Sequence, residues 1–115
     1  MAETVLIVDD GADARDSLAD VLTLHGYAVE RAEDGHEAVE LLGHLTPDVI
    51  LLDVRMPRMN GHEVLAWIRS QPRLASVPII VMSGTEVAPA GPVGFLAKPA
   101  APEAVLAAVQ AAIGP

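Results

Sequence analysis

Three short stretches of the chain are apolar without interruption: TVLIVD at 4–9, VILLD at 49–53 and VPIIVMS at 77–83. A strand with one wet face alternates apolar and polar side chains. Strands that do not alternate are covered on both faces, as in a parallel sheet. AVERA at 28–32 and VGFLA at 93–97 carry a weaker form of the signal and suit the edges of that sheet. Helical spacing fills the intervals. Residues 12–25 place Leu18, Val21, Leu22 and His25 on one stripe. Residues 34–43 open on Asp34 as N-cap, with Glu37 three positions later, and carry Ala38, Leu41 and Leu42. Residues 61–70 present Val64, Leu65 and Ile68. Residues 102–113 begin with Pro102 and Glu103, suited to a first helical turn, and continue with Val105, Val109 and Ala112 or Ile113 on one face. Such alternation predicts βαβ units: one α/β domain over residues 1–115, with a doubly wound five-stranded parallel sheet and helices on both faces.

One interval breaks the rhythm. Between IIVMS and GFLAK lie Gly84, Pro89, Gly91 and Pro92. An average helix takes about 11–12 residues, and interior prolines break it. The spacing therefore predicts that the fourth crossover helix is replaced by a loop, or at most one turn, over residues 86–92.

Composition narrows the class. Hydrophobic residues make up 51% of the 115, too many for disorder, and only 3% are aromatic, so the core is aliphatic. A net charge of −9 argues against direct nucleic-acid binding, which draws on clustered Lys and Arg. Zero cysteines exclude disulfides and thiolate metal sites and fit a reducing compartment. The N-terminus shows no signal-peptide pattern and no apolar run is long enough to span a membrane. A cytoplasmic domain that meets neither nucleic acid nor membrane is the expectation.

The chemistry lies at the carboxyl ends of the strands, where open parallel sheets form their sites. Asp9 and Asp10 leave the first strand, Asp53 the third, Ser83 the fourth and Lys98 the fifth. With strand order 2-1-3-4-5 these side chains converge on one rim. Three adjacent carboxylates repel one another unless a cation joins them, and a hard divalent ion, Mg²⁺ above all, is the natural one. With a lysine ammonium and a serine hydroxyl added, the constellation suits the equatorial oxygens of a phosphoryl group, with Asp53 as nucleophile.

In VLIVDD, ILLDVRMPRMNG, IIVMSG and FLAKP, taken in order, the chain resembles the CheY-like receiver domain of two-component response regulators along essentially its whole length. The resemblance implies a flavodoxin/CheY-like fold and an Asp53 that accepts a phosphoryl group from a phosphohistidine of a sensor histidine kinase or phosphotransfer protein. It implies that Asp10, Asp53 and the backbone carbonyl of Arg55 bind Mg²⁺ directly, with Asp9 acting through water. It also implies that Lys98 contacts the phosphoryl group and that Ser83 and Phe95 form the switch, which signals to a downstream protein target. The departure from the pattern is the missing fourth helix, which in the family helps to form the partner-binding face.

Plainer readings stand beside these. Asp9 and Asp10 could cap the following helix, Asp53 could be a solvated turn residue, and Lys98 a surface charge. His25, His36, His44 and His62 lack metal-ligand spacing and read as surface residues, Met56 and Met59 as packing beneath the site, and Trp67 as partly buried packing. A haloacid dehalogenase-type phosphatase would need an acidic residue where Arg55 stands. The alternative function is a pseudo-receiver, a protein-binding module independent of phosphorylation. No catalytic activity is expected beyond the chain's own phosphorylation and dephosphorylation, and no output domain follows in this sequence.

Overall fold

The five strands β1 (Thr4–Val8), β2 (Ala28–Ala32), β3 (Val49–Asp53), β4 (Ile79–Ser83) and β5 (Gly94–Ala97) form one parallel sheet in the order β2-β1-β3-β4-β5. The computed structural model describes residues 2–54, 61–84, 94–98 and 100–113. Four helices are described: α1 (Ala12–Leu24), α2 (Gly35–Leu42), α3 (Gly61–Ser70) and α4 (Pro102–Ile113). The expected loop at 86–92, the Arg55 carbonyl, Met56 and Met59 all lie outside the described residues. The connection from β4 to β5 is ten residues, 84–93, against the dozen or more usual for a parallel crossover.

Every residue of β3 and β4 is buried. Successive side chains point to opposite faces of a strand, and both faces are covered here. Leu6, Val8, Ile50, Leu52 and Val81 join the α2 and α3 side chains Leu42, Val64 and Ile68 in one core. Val5, Ile7, Leu51, Ile80 and Met82 join Leu18, Leu22, Val105 and Val109 of α1 and α4 in the other. This is the three-layer arrangement that the unalternating strands predict. β2 and β5, each with a single neighbour, are the exposed edges. Trp67 packs partly buried against the α2/α3 core.

On the α1 stripe the surface reading of His25 holds, and the helix stops one residue short of it. Leu18, Ala19 and Leu22 are buried and Val21 is half-buried, but His25 is exposed. It lies at the C-cap because Gly26, at φ 92°, takes the left-handed conformation that ends the helix. Gly26 and Tyr27 then donate back to the carbonyls of Thr23 and Leu22 at 3.0 and 3.1 Å. α2 begins as expected, with Glu37 N donating to Asp34 Oδ1 at 2.8 Å.

Candidate phosphoacceptor site

Four of the five strand ends deliver a group to one rim. Asp9 follows β1, Asp53 closes β3, Ser83 closes β4 and Lys98 follows β5. Asp9, Asp53 and Ser83 are buried, whereas Asp10 is exposed. β4 and β5 pair with Ser83 opposite Ala97, and Lys98 N donates to the Ser83 carbonyl at 2.8 Å. The backbone of Lys98 is thereby tied to the end of β4. Its Nζ reaches the two buried carboxylates, 3.2 Å from Asp9 Oδ2 and 3.3 Å from Asp53 Oδ2.

Burial alone would lower the pKa of the Lys98 ammonium. The negative charges of Asp9 and Asp53, with the hydrogen bonds that both accept, together outweigh it and hold the pKa above its ordinary 10.5. Lys98, though partly solvated, is thus paired with two buried carboxylates and is not a free surface charge. Beside Asp9 and Lys98 a cleft of about 530 Å³ runs between α1 and α4, so the acidic cluster is not sealed.

Asp9 is held at every polar atom. Its N donates to the Ala32 carbonyl at 3.1 Å, and its Oδ1 accepts from Gly11 N at 2.9 Å. Its Oδ2 accepts from Lys98, and its carbonyl accepts from Arg15 Nη1 at 2.7 Å. Neither Asp9 nor Asp10 caps α1. The N-cap position belongs to Gly11, which has no side chain to offer.

Asp9, Asp10 and Asp53 each offer a carboxylate oxygen within 4.8 Å of the other two. An all-oxygen set of this charge suits a hard divalent cation, and Mg²⁺ keeps several waters while taking one or two carboxylates. The donor chemistry therefore fits the expected metal. Arg55 lies outside the described residues. Phe95, half-buried on β5 opposite Val81, packs against the α2/α3 core two residues before the Ala97 that faces Ser83.

Two contributors carry no obvious mark in the sequence. Arg15 acts on a backbone carbonyl, which any residue could supply. Gly61 is the first residue of α3 and is buried against the backbone of Asp53.

The profile of the response regulator receiver domain matches residues 5–110. The chain belongs to that family. Among curated relatives, this receiver is 38% identical to the response regulator MprA of Mycobacterium sp. (strain KMS) over 96% of its own length and 50% of the relative's. It is 39% identical to MprA of Mycobacterium leprae over 93% and 49%. The chain thus spans about half the length of the curated relatives it matches. Among solved structures, the chemotaxis response regulator CheY4 of Vibrio cholerae aligns with TM-score 0.90 at 34% identity, covering 97% of this chain and 99% of that one. The receiver domain of a Pseudomonas aeruginosa sensor histidine kinase, with a magnesium ion coordinated in its active-site cleft, aligns with TM-score 0.90 at 28% identity over all of both chains. The CheY-like fold and the place in two-component signalling follow. No helix among the described residues is long and apolar enough to cross a membrane.

Proposed function

We propose that this receiver takes a phosphoryl group onto Asp53 from the phosphohistidine of a sensor histidine kinase or phosphotransfer protein, with Mg²⁺, and signals to a downstream protein target by changed contacts. The observation that carries the reading is the position of Lys98 Nζ between Asp9 and Asp53, at 3.2 and 3.3 Å, beside a three-carboxylate cluster. Asp53 and Asp10 would hold the metal directly, with the Arg55 carbonyl as the resemblance implies. Asp9, whose carboxylate oxygens already accept from Gly11 and Lys98, would act through water. The chemistry that Mg²⁺ would supply there when bound is to neutralise negative charge on the phosphoryl oxygens.

An Asp53 carboxylate oxygen forms the new bond to phosphorus. The phosphorus–nitrogen bond to the donor imidazole breaks, and the imidazole leaves with its electron pair. Lys98 moves its hydrogen bonding from the Asp53 carboxylate to the arriving phosphoryl oxygens, and the Ser83 hydroxyl donates to another. That phosphoryl group adds about −1.5 to −2 charges at the rim, which biases Ser83 and Phe95 towards a second arrangement. Hydrolysis of the aspartyl phosphate by the same groups resets the domain, and no other substrate is turned over.

Incubation with a small phosphodonor and Mg²⁺, followed by intact mass measurement, tests this. One added phosphate is expected, none without Mg²⁺, and none in Asp53→Asn. A wild-type chain that stays unmodified, or an Asp53→Asn chain that gains the phosphate, overturns it.

A further inference from the structure

α1 opens without a capping side chain, since Gly11 occupies the N-cap. The turn from β1 into α1 holds the two acidic residues, and its geometry decides where the exposed Asp10 carboxylate points. Without a capping side chain, such a turn is held by its own backbone and by groups that reach it from elsewhere. A contact from within α1 reaches it: Arg15, from the first full turn, folds back and donates from Nη1 to the Asp9 carbonyl at 2.7 Å. That carbonyl belongs to the peptide group joining Asp9 to Asp10, so holding it restricts the rotation that would swing Asp10 off the cluster. Asp9 N to Ala32 and Lys98 to Asp9 Oδ2 hold Asp9, and Gly11 N to Asp9 Oδ1 closes a turn around the Asp9–Asp10 peptide, while Arg15 grips the carbonyl of that peptide.

We propose that Arg15 is a positioning residue for the metal site, holding the Asp9–Asp10 peptide so that the Asp10 carboxylate stays within ligating distance of Asp53. The proposal rests on the Mg²⁺ reading given above. It separates from a purely electrostatic role by sign. Removing a positive charge beside an acidic cluster strengthens cation binding on electrostatic grounds alone. Loss of a positioning contact weakens it, and outer groups that orient metal ligands typically account for about 10- to 100-fold in affinity.

Calorimetric titration of the chain with MgCl₂ decides the matter, with wild type, Arg15→Met and Arg15→Lys compared. Arg15→Met keeps the aliphatic stem and removes the donor, and its Mg²⁺ affinity is expected to fall by about tenfold. Arg15→Lys keeps the charge and one donor on a differently shaped head, and should lie between. Addition of phosphate by a small phosphodonor should slow in Arg15→Met at low Mg²⁺ and recover when Mg²⁺ is raised. An affinity equal to or above wild type in Arg15→Met overturns the proposal, even if the melting temperature drops, because that is the signature of a structural contact alone. Should Arg15→Met not fold, Arg15→Lys carries the test, and wild-type affinity there overturns the proposal equally. A wild-type chain that binds no Mg²⁺ fails differently, by removing the metal reading itself and this role with it.

Discussion

Gly61 stands directly against the end of β3: a Cβ on it would lie 2.5 Å from the Asp53 carbonyl oxygen and 2.6 Å from Val54 Cα. Both neighbours are backbone, so neither can rotate away. Only a residue without a side chain lets α3 start where it does, with Gly61 N donating to the Val54 carbonyl at 3.0 Å. Gly61→Ala must push α3 and the end of β3 apart. The expected loss is about 1–3 kcal/mol of unfolding free energy, the usual range for overpacking, with slower phosphate uptake at saturating Mg²⁺. Urea unfolding with a phosphodonor assay reads both. Wild-type values in both would show that the contact relaxes freely.

Lys98 gives a pH signature. Its pKa is raised above 10.5 in the folded chain, burial being outweighed by Asp9 and Asp53. A group held protonated by folding contributes stability in full below its unfolded pKa and loses it as the pH climbs through the folded value. The difference in unfolding free energy between wild type and Lys98→Met should therefore be flat up to about pH 10 and shrink above it. At neutral pH the variant should be less stable by about 1–3 kcal/mol, less than for a fully buried pair because part of the lysine side chain is solvated. A difference that widens on going alkaline would contradict the assignment.

Asp9 and Asp10 are neighbours with opposite expected effects. Asp10 is exposed and adds negative charge to the cluster, so Asp10→Asn should raise the melting temperature of the metal-free protein slightly while reducing the gain from Mg²⁺. Asp9 is buried and forms one of the two ion pairs of Lys98, so Asp9→Asn should lower the metal-free melting temperature. Thermal melts with and without Mg²⁺ compare the two directly. Shifts of the same sign in the metal-free protein would mean that Lys98 does not distinguish them.

Far from the rim, Arg73 ties the segment after α3 to the end of α2. Its guanidinium donates to the Leu42 and Leu45 carbonyls and to the Thr46 hydroxyl. The last carbonyls of a helix need such partners. Arg73→Ala should lower stability by about 1 kcal/mol, given the exposure of these bonds, and speed amide exchange at the end of α2 without changing phosphate uptake. Unchanged exchange there would show that water replaces the guanidinium at no cost.

What could be read in advance follows burial. β1, β3 and β4 are covered on both faces, and their unbroken apolar runs announced them, whereas the edge strands β2 and β5 gave a fainter pattern. The rim residues were legible because Asp9, Asp53, Ser83 and Lys98 each close or follow a strand, where a charge or hydroxyl stands out against the apolar run. The different burial of Asp9 and Asp10 was not legible, since it depends on the turn that Arg15 grips. Arg15 itself was hidden because its partner is main chain. The extent of α1 was overrun by one residue at His25, although Gly26, which sets the end, was in plain view.

Lys98 and Asp9 meet across 89 positions of sequence. A nascent chain emerging from the ribosome therefore exposes both buried acids long before the cation that neutralises them has been synthesised. Until β5 docks on β4, Asp9 and Asp53 face each other with like charge. The ammonium–carboxylate contacts at the rim are thus a property of the finished sheet, and under the proposed function any step that relies on Lys98 waits for the last strand to arrive.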